Sequence, residues 1–180
     1  MAKSKANAES AEPAIEVQTE TEQAVKKPLI PKDIDQSTTV MVRNGFQGRL
    51  VYKSPRTGEK FTWDAFGSEQ ELELRELRAA KNSAKRFFAE NWFMFDREYA
   101  WVIEYLGLKQ YYKNAVSLDQ FDEIFTKTPA EIVKVVSAMS AGQKKSLTYR
   151  AREAIVSGEI DSNKAIAALE KALGVELIER

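Results

Sequence analysis

The chain has 180 residues, balances 27 Lys and Arg against 27 Asp and Glu, and contains neither His nor Cys. Those counts exclude metal sites built on imidazole or thiolate, cysteine nucleophiles, Ser-His-Asp triads and disulfide scaffolds. A neutral chain is no general polyanion binder, so any contact with nucleic acid must come from a local patch.

The opening run Met1-Ala-Lys-Ser-Lys-Ala is polar, which predicts no export signal. No apolar run approaches the roughly 18–20 residues that span a bilayer, so no membrane contact is expected. The chain is expected to be made in a reducing cytosol and to stay there or join an assembly made there.

Charge divides the sequence into three parts. Residues 1–36 carry 5 basic and 7 acidic groups, 37–97 carry 11 and 8, and 98–180 carry 11 and 12, which together account for the 27 of each sign. The first part is rich in Ala, Glu, Lys, Gln and Thr, and cannot bury enough surface to offset its ordering entropy. It is predicted to be an extended or disordered N-terminal arm. Leu29 and Ile30, flanked by Pro28 and Pro31, are its expected anchor on a partner.

Residues 37–97 are predicted to be a β-rich module. Val40 and Val42, Leu50 and Tyr52, and Phe61 and Trp63 alternate with polar or outward-facing neighbours, the period of strands with one buried face. The separators Asn44-Gly45-Phe46-Gln47-Gly48 and Ser54-Pro55-Arg56-Thr57-Gly58 are of hairpin length, so a three-stranded meander is expected. Glu71-Leu72-Glu73-Leu74 predicts a short strand running into a helix over about 75–89, and Trp92-Phe93-Met94-Phe95 a closing strand. Five strands with one inserted helix predict a small β-barrel or curled antiparallel sheet.

Residues 98–180 are predicted to be an α-helical bundle, making the whole chain α+β. Tyr99, Val102, Ile103 and Leu106 share a helix face that ends at Gly107. Ser117 with Gln120 predicts a capping box before Leu118, Phe121, Ile124 and Phe125. Thr128-Pro129-Ala130-Glu131 is a fuller helix start, with a cap, a proline in the first turn and an acid at the third position. Ser140-Ala141-Gly142-Gln143 opens a helix that ends by Gly158, and Asp161 or Ser162 caps a last one that ends at Gly174.

The eight glycines sit at turns and helix ends, and none forms a phosphate loop or a dinucleotide fingerprint. The acids Asp119, Asp122, Glu123, Glu159 and Asp161 are placed as helix-end and turn carboxylates rather than magnesium ligands or an acid–base pair. No catalytic residue, metal ligand or cofactor site is assigned. On one straight helix Arg75, Arg78, Lys81, Lys85 and Arg86 share an arc of about 140°. Three readings follow, ranked in this order. The stems cover a core edge, the heads meet an acidic protein partner, or they follow phosphates. Lys144, Lys145 and Arg152 are read as a solvated face. A helix-turn-helix over 130–157 is disfavoured because few base-reading side chains start its second helix. Aromatic residues crowd the middle of the chain, and Tyr111 and Tyr112 are assigned to an interface as rings one small domain need not bury.

The motif order carries a resemblance. Gly48-Arg49-Leu50-Val51-Tyr52 is followed by Arg56-Thr57-Gly58, Phe61-x-Trp63, Glu71-Leu72-Glu73-Leu74-x-Glu76-Leu77, Phe87-Phe88, Asn91-Trp92 and Ser117-Leu118-Asp119-Gln120-Phe121. Over about residues 40–180 this resembles small structural proteins of tailed bacteriophages, notably phages of Gram-positive hosts. The resemblance implies a non-enzymatic component of the virion, made in the bacterial host cytoplasm and present in multiple copies among other virion structural proteins. A head or neck position is preferred to the tail. The alternative is a nucleic-acid-binding accessory or regulatory protein using the basic face at 75–86.

Overall fold

A computed structural model of the protein describes residues 30–178. Leu29 and most of the expected arm lie outside the described residues.

The fold is α+β with two small antiparallel sheets, and no closed barrel forms among the described residues. Strand β1 (Thr39–Asn44) lies between β4 (Glu69–Glu73) and the two-residue β5 (Phe93–Met94). Strands β2 (Leu50–Lys53) and β3 (Lys60–Trp63) form a separate hairpin. The expected meander is therefore corrected, because β1 pairs with β4 and β5 and not with β2.

Asn44 accounts for that choice. It is fully buried, its Oδ1 accepts from Phe46 N, and its Nδ2 donates to Gly48 O and Ala65 O, each at 2.8 Å. Its backbone N–H donates to Ser68 O, and its carbonyl accepts from Gly67 N. Every polar group at the end of β1 is thus spent on the 45–48 loop and the 65–68 turn, so the chain leaves the sheet before a hairpin with β2 can close.

The helix expected over 75–89 is two helices. Helix α1 (Leu74–Ser83) ends where Ala84 leaves helical geometry at φ −135° and ψ 44°, and α2 (Arg86–Ala89) follows the break. Asn82 and Ser83 carry side chains that compete for backbone partners, and Ser83 Oγ does donate to Ala79 O. The break brings Phe88 and then Phe93 into one core with Leu74, Leu77 and Trp63.

Two clusters of buried side chains organise the molecule. The first is rich in rings and runs from Val40 to Leu108, so it includes Trp101 and Val102 of α3 (Trp101–Tyr105) and is flanked by α4 (Lys109–Tyr112). The second is built on α5 (Pro129–Ala138), α6 (Ala141–Val156) and α7 (Asn163–Leu173), with Phe121 and Ile124 against them. Its start signals fold as written. Thr128 and Glu131 form a reciprocal capping box, Ser140 accepts from Gln143 N, and Ser162 accepts from Ala165 N.

The box expected at Ser117 does not form. Ser117 Oγ bonds Gln120 Oε1 rather than a backbone amide, and two 3₁₀ turns, Leu118–Gln120 and Asp122–Thr126, replace the helix. Gln143 of α6 takes both backbone groups of Val116, at 3.1 and 2.6 Å, and fixes the chain just ahead of the site where that helix would nucleate.

The clusters meet along a polar seam. Ser146 Oγ of α6 donates to Gly45 O and accepts from Gln47 N, and Ser140 Oγ donates to Glu90 O. Gly142 lies so close to Glu90 that an added Cβ would overlap its backbone carbonyl. No described helix is long and apolar enough to cross a membrane.

Candidate functional site

Four of the five basic residues singled out from the sequence occupy two helices, and those four are engaged within the molecule. Arg75 opens α1 with its guanidinium on the Glu73 carboxylate. Arg78 lies over the Tyr105 ring, 5.9 Å from its centroid. Lys81 Nζ donates to the Leu106 carbonyl, one of the acceptors that the end of α3 leaves open. Arg86 stacks 4.9 Å over Trp92 and has its Nε 3.9 Å from Glu90. Lys85, in the break between the helices, is exposed and has no ion pair among the described residues. The pattern ties α1 and α2 to the segments that follow them, as expected for stems and heads covering a core edge.

Tyr112 is a structural ring. Its hydroxyl donates to Phe93 O at 2.6 Å, its ring packs on Phe95, and burial pushes its ionisation well above the usual tyrosine range. Tyr111 is half-buried against the first cluster, and its carbonyl accepts from Asn91 Nδ2. Ile30, the described half of the expected anchor, is 43% exposed.

Nothing in the sequence pattern marks Glu76 as buried. It is 2% exposed, accepts from the Tyr52 hydroxyl at 2.8 Å, and lies 3.5 Å from Arg56 Nε. Burial, followed by this bond to Glu76, raises the Tyr52 phenol far above its ordinary value. A cleft of about 410 Å³ opens over this group, edged by Arg56, Phe61, Glu71, Glu73 and Arg75. The carboxylate has one neutral donor and one cation, so the arrangement holds the β2–β3 hairpin to α1. Alternation marks Tyr52 as inward-facing, but only the turn at Pro55 brings Arg56 to it.

Two of the clustered acids, Asp119 and Asp122, are likewise committed. Asp119 and Asp96 both bond Arg43 Nη1, at 2.9 and 3.0 Å, and Asp122 takes Arg150 through both of its oxygens at 2.8 Å. Among the described residues no three carboxylates converge as metal ligands. The candidate helix-turn-helix fails on placement, because Gly142, Gln143 and Ser146 at the start of α6 are buried in the seam.

What remains open is surface. At the far end of α6, Val156 is 89% exposed, beside Ile178. There Ile155, Val156, Leu177 and Ile178 line a groove of about 510 Å³, with Arg152 and Glu176 at its rim. In the other half, β2 presents Val51, 46% exposed, between Arg49 and Lys53.

Comparison with protein-family models, curated proteins and solved structures finds no match.

Proposed function

We propose that this protein is a non-enzymatic structural component of an assembly, the particle of a tailed bacteriophage, with a head or neck position preferred. It binds neighbouring subunits through its body and its N-terminal segment. The motif order quoted above supports the choice of particle. The observation that carries a protein-contact role is the apolar corner of the helical half. Val156 and Ile178 stand exposed along a groove that is also lined by Ile155, Leu177, Arg152 and Glu176. An apolar centre with a polar rim is the make-up of a protein interface.

The test is mass spectrometry and limited proteolysis of purified particles beside the isolated chain. The expected result is the chain present at fixed stoichiometry, with cleavage within 1–36 blocked in the particle and open in isolation. Particles that lack the chain would overturn the proposal. The corner is tested separately by Val156→Asp, which is expected to abolish incorporation while leaving the melting temperature within a degree or two, since this side chain is almost wholly exposed.

A further inference from the structure

The free edge of β2 is the feature the proposed function leaves unassigned. In the hairpin Ser54 N donates to Glu59 O at 2.8 Å, and the pairs Tyr52–Phe61 and Leu50–Trp63 continue the same register. Antiparallel bonds alternate, so Tyr52 and Leu50 spend their backbone groups on β3, whereas Val51 and Lys53 direct theirs away from it. Those outward groups have no partner among the described residues.

Charge restricts what can pair there. Arg49, its Nε 3.8 Å from Asp64, and Lys53 flank the exposed Val51, and Lys53 stands directly opposite Lys60. A second β2 would bring like charges together, which disfavours edge-to-edge self-pairing. The edge calls for an acidic extended segment. Rings beside it add a second requirement. Tyr52 of β2 meets Phe87, Phe87 meets Trp92, and Trp92 meets Phe46, at centroid distances of 5.4 to 5.6 Å. Phe46, Phe87 and Trp92 are only half-buried, so an added strand needs apolar side chains on its inner face.

The chain itself contains a sequence of that kind. Between Lys5 and Lys26 there are five Glu and no Lys or Arg. Within it Ile15, Val17 and Thr19 alternate with Glu16, Gln18 and Glu20. Twelve residues separate Val17 from Ile30, where the described chain starts, a reach of up to about 45 Å. That is enough to cross to a neighbouring molecule.

We propose that residues 14–20 of one copy add as a strand to the free edge of β2 in a neighbouring copy. Ile15 and Val17 cover the Phe46–Trp92–Phe87 row, and Glu16 and Glu20 face Arg49 and Lys53. This is strand addition, with main-chain bonds holding the segment and alternate side chains selecting it. The inference rests on the assembly reading above and names the partner of the N-terminal segment within it.

The natural chain has no Cys, which makes the test clean. One full-length preparation carries Val51→Cys. A second series carries a single cysteine at each position from 14 to 20. The two are mixed and oxidised, so any mixed disulfide joins two copies. The expected yield alternates along 14–20 with a period of two, falls several-fold as salt is raised, and is lost when Lys53→Glu is added to the first preparation. A flat profile, no mixed disulfide, or a disulfide that forms only when both cysteines share one chain would overturn the inference. The assembly reading fails by a different result, namely particles without the protein. Particles that contain the chain while the cysteine profile is flat sink only the strand pairing.

Discussion

The two halves of this molecule solve the same packing problem with different materials. The first cluster is built from rings, among them Trp63, Tyr52, Phe88 and Phe93, and it buries polar groups with them: Asn44, Asn91 and Glu76. The second is built from Ile, Val, Leu and Ala on three capped helices, with Phe121 as its one fully buried ring. Rings are large and few, so each must be placed by contacts from distant parts of the chain, such as Trp63 Nε1 donating to Val42 O at 2.8 Å. Small aliphatic side chains on helices are placed by local periodicity and caps. The first half is therefore the one in which single residues carry topology.

The largest expected effect follows from that contrast. Trp63→Ala removes the largest fully buried side chain and should cost about 3–5 kcal/mol in chemical denaturation. The three tryptophans, Trp63, Trp92 and Trp101, all lie in or against the first cluster, whereas most helix lies in the second. Indole fluorescence and far-ultraviolet dichroism thus read different halves. In the natural chain the two transitions are expected to coincide.

Gly142→Ala attacks the seam between the halves. The added methyl overlaps the Glu90 carbonyl, so a loss of about 1–3 kcal/mol is expected despite the higher helix propensity of Ala. If the seam couples the halves, this variant also separates the fluorescence transition from the dichroism transition. Transitions that stay superimposed would show that coupling runs elsewhere. Glu76→Ala leaves the Tyr52 hydroxyl buried without its acceptor and should cost about 1–3 kcal/mol. Glu76→Gln keeps an acceptor and should cost less, and equal losses would assign no value to this bond.

A pH titration sharpens the same comparison. Tyr52 and Tyr112 both belong to the first half, and burial holds the phenols of both above their ordinary range. A folded-state pKa above the unfolded one stabilises fully at pH below about 10, the unfolded value, and that contribution is lost as pH rises toward the folded value. The fluorescence-detected melting temperature is expected to fall above pH 10, and a flat profile to pH 11 would contradict the burial of both hydroxyls. The smallest effect belongs to the second half. Thr128→Ala removes one side of the capping box and should cost about 1 kcal/mol by thermal melting.

How much was legible in the sequence follows the same division. The caps at Thr128, Ser140 and Ser162 and the stops at Gly158 and Gly174 fold as their local chemistry dictates. Strand existence was legible too, since Val40, Val42, Tyr52 and Trp63 face inward as their alternation predicts. Strand pairing was not. Whether β1 turns back on β2 or reaches on to β4 depends on where the Asn44 side chain finds its acceptors, and Ala65 is 21 residues away. The break in the helix over 75–89 was hidden because the apolar spacing of Leu74, Leu77, Ala80 and Phe88 suits an unbroken helix equally well. The basic stripe depended on that continuity. The burial of Glu76 was hidden as well, because its partners, Tyr52 and Arg56, come from the β2–β3 hairpin and not from its own helix.

The seam has a mechanical consequence. Ile34 packs on the ring-rich half and Leu177 lies within the helical half, so a load applied at these two points passes through both halves in series. Ser146 to Gly45, Ser140 to Glu90 and Arg43 to Asp119 are polar links spread along the joint, and the Phe66 ring meets Phe121 beside them. Under tension the joint is expected to yield before either core, while the connecting segment stays pinned, Tyr112 to Phe93 on one side and Val116 to Gln143 on the other. The molecule would then lengthen under strain as two hinged bodies and recover its shape when released.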